Sequence, residues 1–558
     1  MNRRNILKDN QQILFWIFIV CYTVLFLVDP NFGPTDDFHF VRTIQSGSYL
    51  NYYSEQFPYY DSIKIGRFQP LAAIEYNLIP LLGAPLEARS YYLIHAFQFL
   101  ITVVLLHRLI KNKVRTDLIW ISAIILIILT PGFSYSWFRL QLVERNIFTL
   151  IIIMLLSYEY GMTKRKKSIP FIVASIASLL IVFMKETGFI LISTFSLVSL
   201  WILSGQTDKE EIKLRTFHIV NLVYSFSYIL VYAWIVLPER GALTYGVGPI
   251  NFGEKLIKNL LNYAFVSDPI VFFIILPLAL QRLCMLNKRK SLDLYLDPML
   301  ISSLAFVAAY FVLNLQGVYY FQPVYVLSLI PILRTLEIAK LLQIKAIGLT
   351  VVILTTLNAI PTAIHYIAYY KNAPSNFSSA IETVAADIKK RERNKKPTIY
   401  LDGINFGTGR FMYFIYSEFF VMRNLTNENY DMASMENSDL TPEINLKPFI
   451  FLTRIDPKFT IFEQQVPREP NSGDYLILSS QSTNSIKQPD NQKYRESLYP
   501  NYELMYSFTS KYEFKFWNLK NLGRYILSVN AIPDSKIFTI GRHAPNMESS
   551  DFYVYKKK

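Results

Sequence analysis

The chain alternates between apolar runs and short polar stretches. Many of the runs are roughly 20 residues long, the length that crosses a bilayer as a helix. Hydropathy gives about eleven of them, near residues 13–28, 92–110, 118–133, 147–160, 169–184, 189–203, 220–237, 270–286, 299–315, 324–336 and 347–366. The basic residues keep the same rhythm. Arg3, Arg4 and Lys8 precede the first run, and Lys111, Lys113 and Arg115 follow the second. Further clusters follow the fourth (Lys164 to Lys167), sixth (Lys209 to Arg215), eighth (Lys288 to Lys290) and tenth (Lys340, Lys345). With the N-terminus cytoplasmic, every strongly basic loop falls on the cytoplasmic side, as the positive-inside tendency requires. A run missed or invented would scramble that alternation. The first run is too long for a signal-peptide core and has no A-x-A-like cleavage site, so it reads as an anchor. No inverted repeat is evident, which counts against a secondary transporter.

From about Lys371 the pattern changes to polar, Asn-rich sequence around short β-rich runs. These are Thr398-Ile399-Tyr400-Leu401, Phe449-Ile450-Phe451-Leu452, Tyr475-Leu476-Ile477-Leu478 and Phe552-Tyr553-Val554-Tyr555. Residues 378–391 have helical spacing. The expected fold is a polytopic α-helical membrane domain over residues 1–370. A soluble α/β domain on the extracytoplasmic side follows over 371–558. Gly403-Ile404-Asn405-Phe406-Gly407-Thr408-Gly409 follows a strand, but its spacing fits neither a Rossmann nor a P-loop pattern and reads as a turn.

Composition agrees with the membrane class. Hydrophobic residues make up 52% of the chain and charged ones 18%, with a mean hydropathy of +0.25. The net charge of +14 is no nucleic-acid signature, because the basic residues sit in loops beside hydrophobic runs and there meet anionic lipid headgroups. Cys21 and Cys284 both lie in apolar runs and support no disulfide framework.

Chemistry concentrates where outward segments meet the membrane. Asp36-Asp37-Phe38-His39-Phe40 follows the first run, and two adjacent carboxylates there repel each other and hold water. A solvated loop with an N-cap aspartate is the plain reading, and a reactive carboxylate pair the sharper one. The same loop carries Arg42 and Arg67, and further charges stand at outer ends as Arg139, Glu144, Arg145, Lys185 and Glu186. Outer cations run against the positive-inside tendency, and an anionic lipid phosphate would use them. Each has a plain alternative. Arg139 and Arg145 can snorkel, Lys185-Glu186 can be a local ion pair, His39 can be structural, and Tyr319-Tyr320 can be an aromatic belt.

Together these parts suit one reaction. An acceptor hydroxyl attacks the anomeric carbon of a lipid-borne sugar phosphate, a carboxylate takes the proton, and cations hold the departing phosphate. In Asp36-Asp37, Arg67-Phe68-Gln69-Pro70-Leu71, Lys185-Glu186-Thr187-Gly188 and Tyr319-Tyr320-Phe321-Gln322-Pro323, the sequence resembles the GT-C superfamily of membrane glycosyltransferases. The aminoarabinose transferase of lipid A and the protein O-mannosyltransferases belong to that superfamily. The resemblance implies a polyprenyl-phosphate-sugar donor and a catalytic Asp36-Asp37 pair with Asp36 as base. It also implies a substrate-binding set of His39, Arg67, Gln69, Arg139, Arg145, Lys185, Glu186, Tyr319, Tyr320 and Gln322. Within that set Glu186 is expected to position Lys185. The late motif departs from the common Arg-Tyr-x-x-Pro form, with Tyr319 in place of the arginine. A divalent cation (Mg or Mn) stays open as cofactor, with Asp36 and Asp37 as its only candidate ligands.

The expected activity is inverting sugar transfer to an acceptor glycan, lipid or protein at the outer face of a bacterial inner membrane. The membrane lipid is the other partner, and no nucleic acid is expected. The alternatives are a polymerase or ligase using a diphosphate-linked glycan, and a lipid or glycan transporter. The transporter predicts charged residues inside the spans, whereas the notable charges stand at span ends.

Overall fold

The computed structural model describes residues 3–33, 37, 67–72, 75, 87–111, 113, 117–140, 142–163, 168–204, 211–239, 253, 256, 260, 263–264, 268–288, 292–313, 315, 317–338, 342–391, 396–401, 416–426, 428–436, 450–453, 470–479, 496–498, 500–509 and 551–558. Asp36, His39, Arg42 and the glycine-rich stretch 403–409 lie outside them.

The described chain is mainly helical, with several helices apolar and long enough to span a membrane and a small C-terminal sheet. Its helices are α1 (Arg3–Leu27), α2 (Ala88–Lys111), α3 (Asp117–Ile128), α4 (Pro131–Phe138), α5 (Glu144–Thr163), α6 (Ile169–Met184), α7 (Gly188–Leu203) and α8 (Ile212–Glu239). A π-helical turn (Val271–Ile275) then leads into α9 (Leu276–Asn287), followed by α10 (Leu296–Val312), α11 (Gln322–Ile338) and α12 (Leu342–Lys390). Among the described residues, four helices are long and apolar enough to cross a membrane: α1 over Asn10–Leu27, α2, α5, and α8 over Ile212–Pro238. α3 and α4 make a fifth if the bent pair counts as one span, and α6, α7, α10 and the Val271–Asn287 segment are apolar but shorter. Large side chains on the outside fit lipid contact rather than water, among them Trp234 (79% exposed), Ile169 (71%) and Phe97 (66%).

Where one apolar run was expected over 118–133, the helix breaks at Thr130 and re-forms as α4 at 58° to α3. The sequence explains the break. Thr130 caps α4 through its hydroxyl, which accepts from the Phe133 N–H at 3.3 Å, and Pro131 at the first position needs no hydrogen bond. Every residue of α4 is buried. Gly132 follows because a Cβ there would collide with the Val318 carbonyl oxygen. Gly188 plays the same part where α6 turns into α7, since a Cβ would strike the Ile181 carbonyl oxygen. These two glycines allow backbones to meet where a side chain would hold them apart.

The last expected run, 347–366, proves to be part of the much longer α12, of 49 residues. This helix passes from the bundle to the sheet through Pro361 and Pro374. Its final turns bury Phe377, Ala380, Ile381 and Val384 in one apolar cluster with Ile399, Ile477 and Val554 of the sheet. The sheet has the order β3-β2-β1-β4-β6-β5, with β1 (Thr398–Leu401), β2 (Asp431–Glu436), β3 (Ile450–Thr453), β4 (Tyr475–Ser479), β5 (Tyr502–Phe508) and β6 (Phe552–Lys557). β1 runs parallel to β2 and β4, and the remaining pairs are antiparallel. Alternation along each strand sends Tyr400, Leu476 and Tyr555 to the face away from α12. Three of the four runs expected to be strands fall within strands, the fourth overlaps β3 from Ile450 on with Phe449 outside the described residues, and β2 and β5 are additional.

Asp387 ties helix to sheet. Its carboxylate takes the Tyr475 hydroxyl at 2.5 Å and pairs with Lys556 at 2.8 Å and Arg391 at 3.2 Å. Burial pushes its pKa up, but the Lys556 and Tyr475 hydrogen bonds outweigh that and hold it below the usual carboxylate value.

Candidate active site

The end of α1, the exit of α4, the start of α5, the α6–α7 turn and the 317–322 turn converge, and α12 passes beside them. Their side chains form one connected network. Lys185, the C-cap of α6, is 5% exposed and pairs with Glu144, the first residue of α5, which is 2% exposed. The Lys185 ammonium also lies 4.6 Å from the Tyr320 ring centroid and 5.5 Å from that of Tyr319. Burial, followed by the like charge of Arg67, pushes its pKa below the lysine range, and Glu186 opposes the shift.

Glu186, next in the chain, turns to the first-loop segment. It accepts from Arg67 Nε at 3.3 Å and from Gln69 Nε2 at 2.7 Å. That segment is itself fixed. The Leu71 N–H donates to the Phe183 carbonyl at 3.2 Å, and the Tyr228 hydroxyl donates to the Phe68 carbonyl at 2.8 Å. The expectation that Glu186 positions Lys185 is therefore corrected. Its hydrogen bonds go to Arg67 and Gln69, and the ion partner of Lys185 is Glu144.

An aromatic floor continues from Lys185. Tyr320 stacks on Tyr310 at 4.5 Å, and Tyr319 on Tyr135 at 5.1 Å. Arg139 donates to the Tyr135 hydroxyl and lies over the Tyr135 and Tyr370 rings at 5.0 and 5.8 Å. Gln322 fixes the 317–322 turn by donating from Nε2 to the Gly132 carbonyl at 2.5 Å.

The described acid of the pair, Asp37, is 6% exposed, and its Oδ2 accepts the Gly33 N–H at 2.6 Å. Tyr92 lies within electrostatic reach of Asp37, Arg139 and Arg145. Lys371 of α12 closes the α1 side, donating to the Phe26 and Val28 carbonyls at 2.9 Å each with its ammonium 4.8 Å from the Tyr92 ring centroid. Burial lowers its pKa to about 8, against Asp29.

Arg145 differs from the other cations. Its side chain has no exposure and its guanidinium reaches Gln98 Oε1 at 3.1 Å, the Leu140 and Leu142 carbonyls at 2.7 and 3.1 Å, and Glu75. It acts as a clamp between α5, α2 and the first loop. Among the expected site residues that are described, Arg67, Gln69, Arg139, Lys185, Glu186, Tyr319, Tyr320 and Gln322 share the network, Arg145 braces it, and Asp37 is held by Gly33 past the end of α1. Sequence reasoning missed Glu75, Tyr135, Tyr370 and Lys371. A lysine at the point where the last apolar run gives way to polar sequence was the one available signal, and the tyrosines were indistinguishable from ordinary interfacial aromatics. Among the described residues, no group of three or more His, Cys, Asp or Glu comes together to hold a metal ion.

No protein-family model matches the chain, and no curated protein matches it. The chemistry of the site thus carries the functional argument.

Proposed function

We propose that the protein is a GT-C-type glycosyltransferase. It moves a sugar from a polyprenyl-phosphate-linked donor to an acceptor glycan, lipid or protein, with inversion, at the extracytoplasmic face of a bacterial inner membrane. In this reading about eleven helices span the bilayer, the N-terminus is cytoplasmic, and the sheet domain lies outside. The observation that carries it is the clustering of Arg67, Lys185 and Arg139 around one aromatic floor at one end of an apolar bundle. An amphiphile with a long apolar tail and a phosphate head matches that combination of lipid-facing surface and clustered cations.

Chemically, the acceptor hydroxyl oxygen forms a bond to the anomeric carbon as the bond from that carbon to the phosphate oxygen breaks. The hydroxyl proton passes to Asp36, and the phosphate leaves with the bonding electron pair. Asp37, oriented by the Gly33 N–H, stays charged beside it and helps stabilise positive charge on the sugar. Arg67 and Lys185 face the phosphate, with Glu186 and Glu144 setting their geometry. Tyr319 and Tyr320 offer ring faces to the sugar.

The test is Asp36→Asn in membranes supplied with polyprenyl-phosphate sugars and acceptor. A loss of about 10²–10⁴-fold in transfer is expected for removal of a general base. Transfer at the wild-type rate by that variant contradicts the mechanism. Arg67→Ala run beside it separates the alternative, since a ligase using a diphosphate-linked glycan depends more on the arginine than on the acid.

A further inference from the structure

Two buried oxygens beside the first turn of α11 have no hydrogen-bond partner among the described residues. Gln322 is 2% exposed; its Nε2 bonds the Gly132 carbonyl, and its Oε1 is unpartnered among the described residues. Tyr325, three positions on, donates its hydroxyl to Asp268 Oδ1 at 2.9 Å. Asp268 is 3% exposed, and its Oδ2 is likewise unpartnered. Buried polar atoms are rarely left so, and two beside one helix turn call for a partner that none of the described residues supplies. Both adjoin the aromatic floor. Tyr263 lies within electrostatic reach of Asp268 and of Tyr320, the ring nearest Lys185.

We propose that Asp268 and Gln322 form the sugar subsite of this active site, exchanging hydrogen bonds with ring hydroxyls of the lipid-borne sugar. The inference rests on the transferase reading above. A sugar hydroxyl both donates and accepts, so it satisfies an amide oxygen and an acid alike. Burial pushes the Asp268 carboxyl up to about 8, against the Tyr325 bond, so at neutral pH it carries a proton. Tyr325 occupies Oδ1, which leaves the proton on Oδ2. A neutral acid offers a hydroxyl to the sugar and adds no negative charge beside a phosphate.

This assignment makes an unusual pattern of variants. In Asp268→Asn the Tyr325 hydroxyl holds the amide oxygen in the place of Oδ1, so an N–H replaces the acid hydroxyl. Asp268→Leu removes it, and Gln322→Met removes the other open oxygen. Binding is measured on the full chain in nanodiscs, with bare decaprenyl phosphate and with a panel of decaprenyl-phosphate hexoses and pentoses. Wild type is expected to bind at least one glycosylated lipid about tenfold tighter than the bare lipid. Asp268→Asn keeps that gain, whereas Asp268→Leu loses most of it while binding bare lipid as wild type does, and Gln322→Met loses most of it as well, together with the bond that fixes the 317–322 turn. Bare-lipid binding reports folding, and if one apolar variant fails it, the other decides. The proposal is overturned if the folded apolar variants keep the gain, if Asp268→Asn loses as much as Asp268→Leu, or if no sugar on the panel produces a gain. Wild-type protein that binds neither kind of lipid overturns the transferase reading instead.

Discussion

Replacing Lys185 by methionine separates what the Lys185–Glu144 pair does for the fold from what it does for the site. Both partners are nearly inaccessible, at 5% and 2%, so water cannot resolvate the one left behind. Stranding a buried charge in this way costs about 3–5 kcal/mol. Methionine suits the site otherwise, because its thioether can keep contact with the Tyr319 and Tyr320 rings. The single variant Lys185→Met should therefore lower the thermal unfolding midpoint of the detergent-solubilised protein markedly. The double variant Glu144→Leu with Lys185→Met removes both charges and should recover most of that loss, since apolar replacement of a buried pair is close to neutral. Transfer from a polyprenyl-phosphate sugar should recover in neither, because the phosphate has lost its cation. The reasoning is refuted if the single variant costs under about 1 kcal/mol, the range of exposed pairs. It is refuted equally if the stable double variant transfers sugar at the wild-type rate.

Two further perturbations probe the frame. Gly132→Ala drives a methyl group into the Val318 carbonyl and displaces the 317–322 turn. It should cost about 1–3 kcal/mol in thermal unfolding and lower transfer, and a neutral outcome contradicts the close approach of α4 to that turn. Asp387 has a depressed carboxyl pKa in the folded chain, so its contribution is present above the ordinary carboxylate value, about 3.9, and fades as pH falls through the folded value. Amide exchange in β4 and β6 should thus speed up as the medium is acidified below pH 4, beyond the intrinsic change, and Asp387→Asn should show that faster exchange at neutral pH already. Identical exchange in variant and wild type at neutral pH refutes the role given to the carboxylate.

The parts visible in the sequence were those written in local pattern. The runs at Thr398-Ile399-Tyr400-Leu401 and Tyr475-Leu476-Ile477-Leu478 are rich in β-formers and became the parallel centre of the sheet. β2, Asp-Met-Ala-Ser-Met-Glu, has no such preference and is a strand because β1 and β3 flank it. The change of composition at Lys371 read as a boundary, yet α12 continues to Lys390 because tertiary burial of its Phe377–Ile388 face outweighs two prolines. Outer cations were visible as exceptions to a charge rule. Their partners were not, since Arg67 meets Glu186 across 119 positions and Arg145 meets Glu75 across 70. Local pattern carries no information about pairs at that separation, and so the role of Glu186 was assigned to its neighbour in sequence instead of its neighbour in space.

The most direct measurement is a crosslinking map made with a polyprenyl phosphate carrying a photoreactive group next to the phosphate, bound to the full chain in a bilayer. Adducts confined to Asp37, Arg67 to Leu71, Tyr135 to Arg139, Lys185 to Thr187 and Tyr319 to Gln322 are the predicted result. Adducts at Lys113, the Lys164–Lys167 loop or Lys288, or none above the level of an ordinary phospholipid probe, would contradict it.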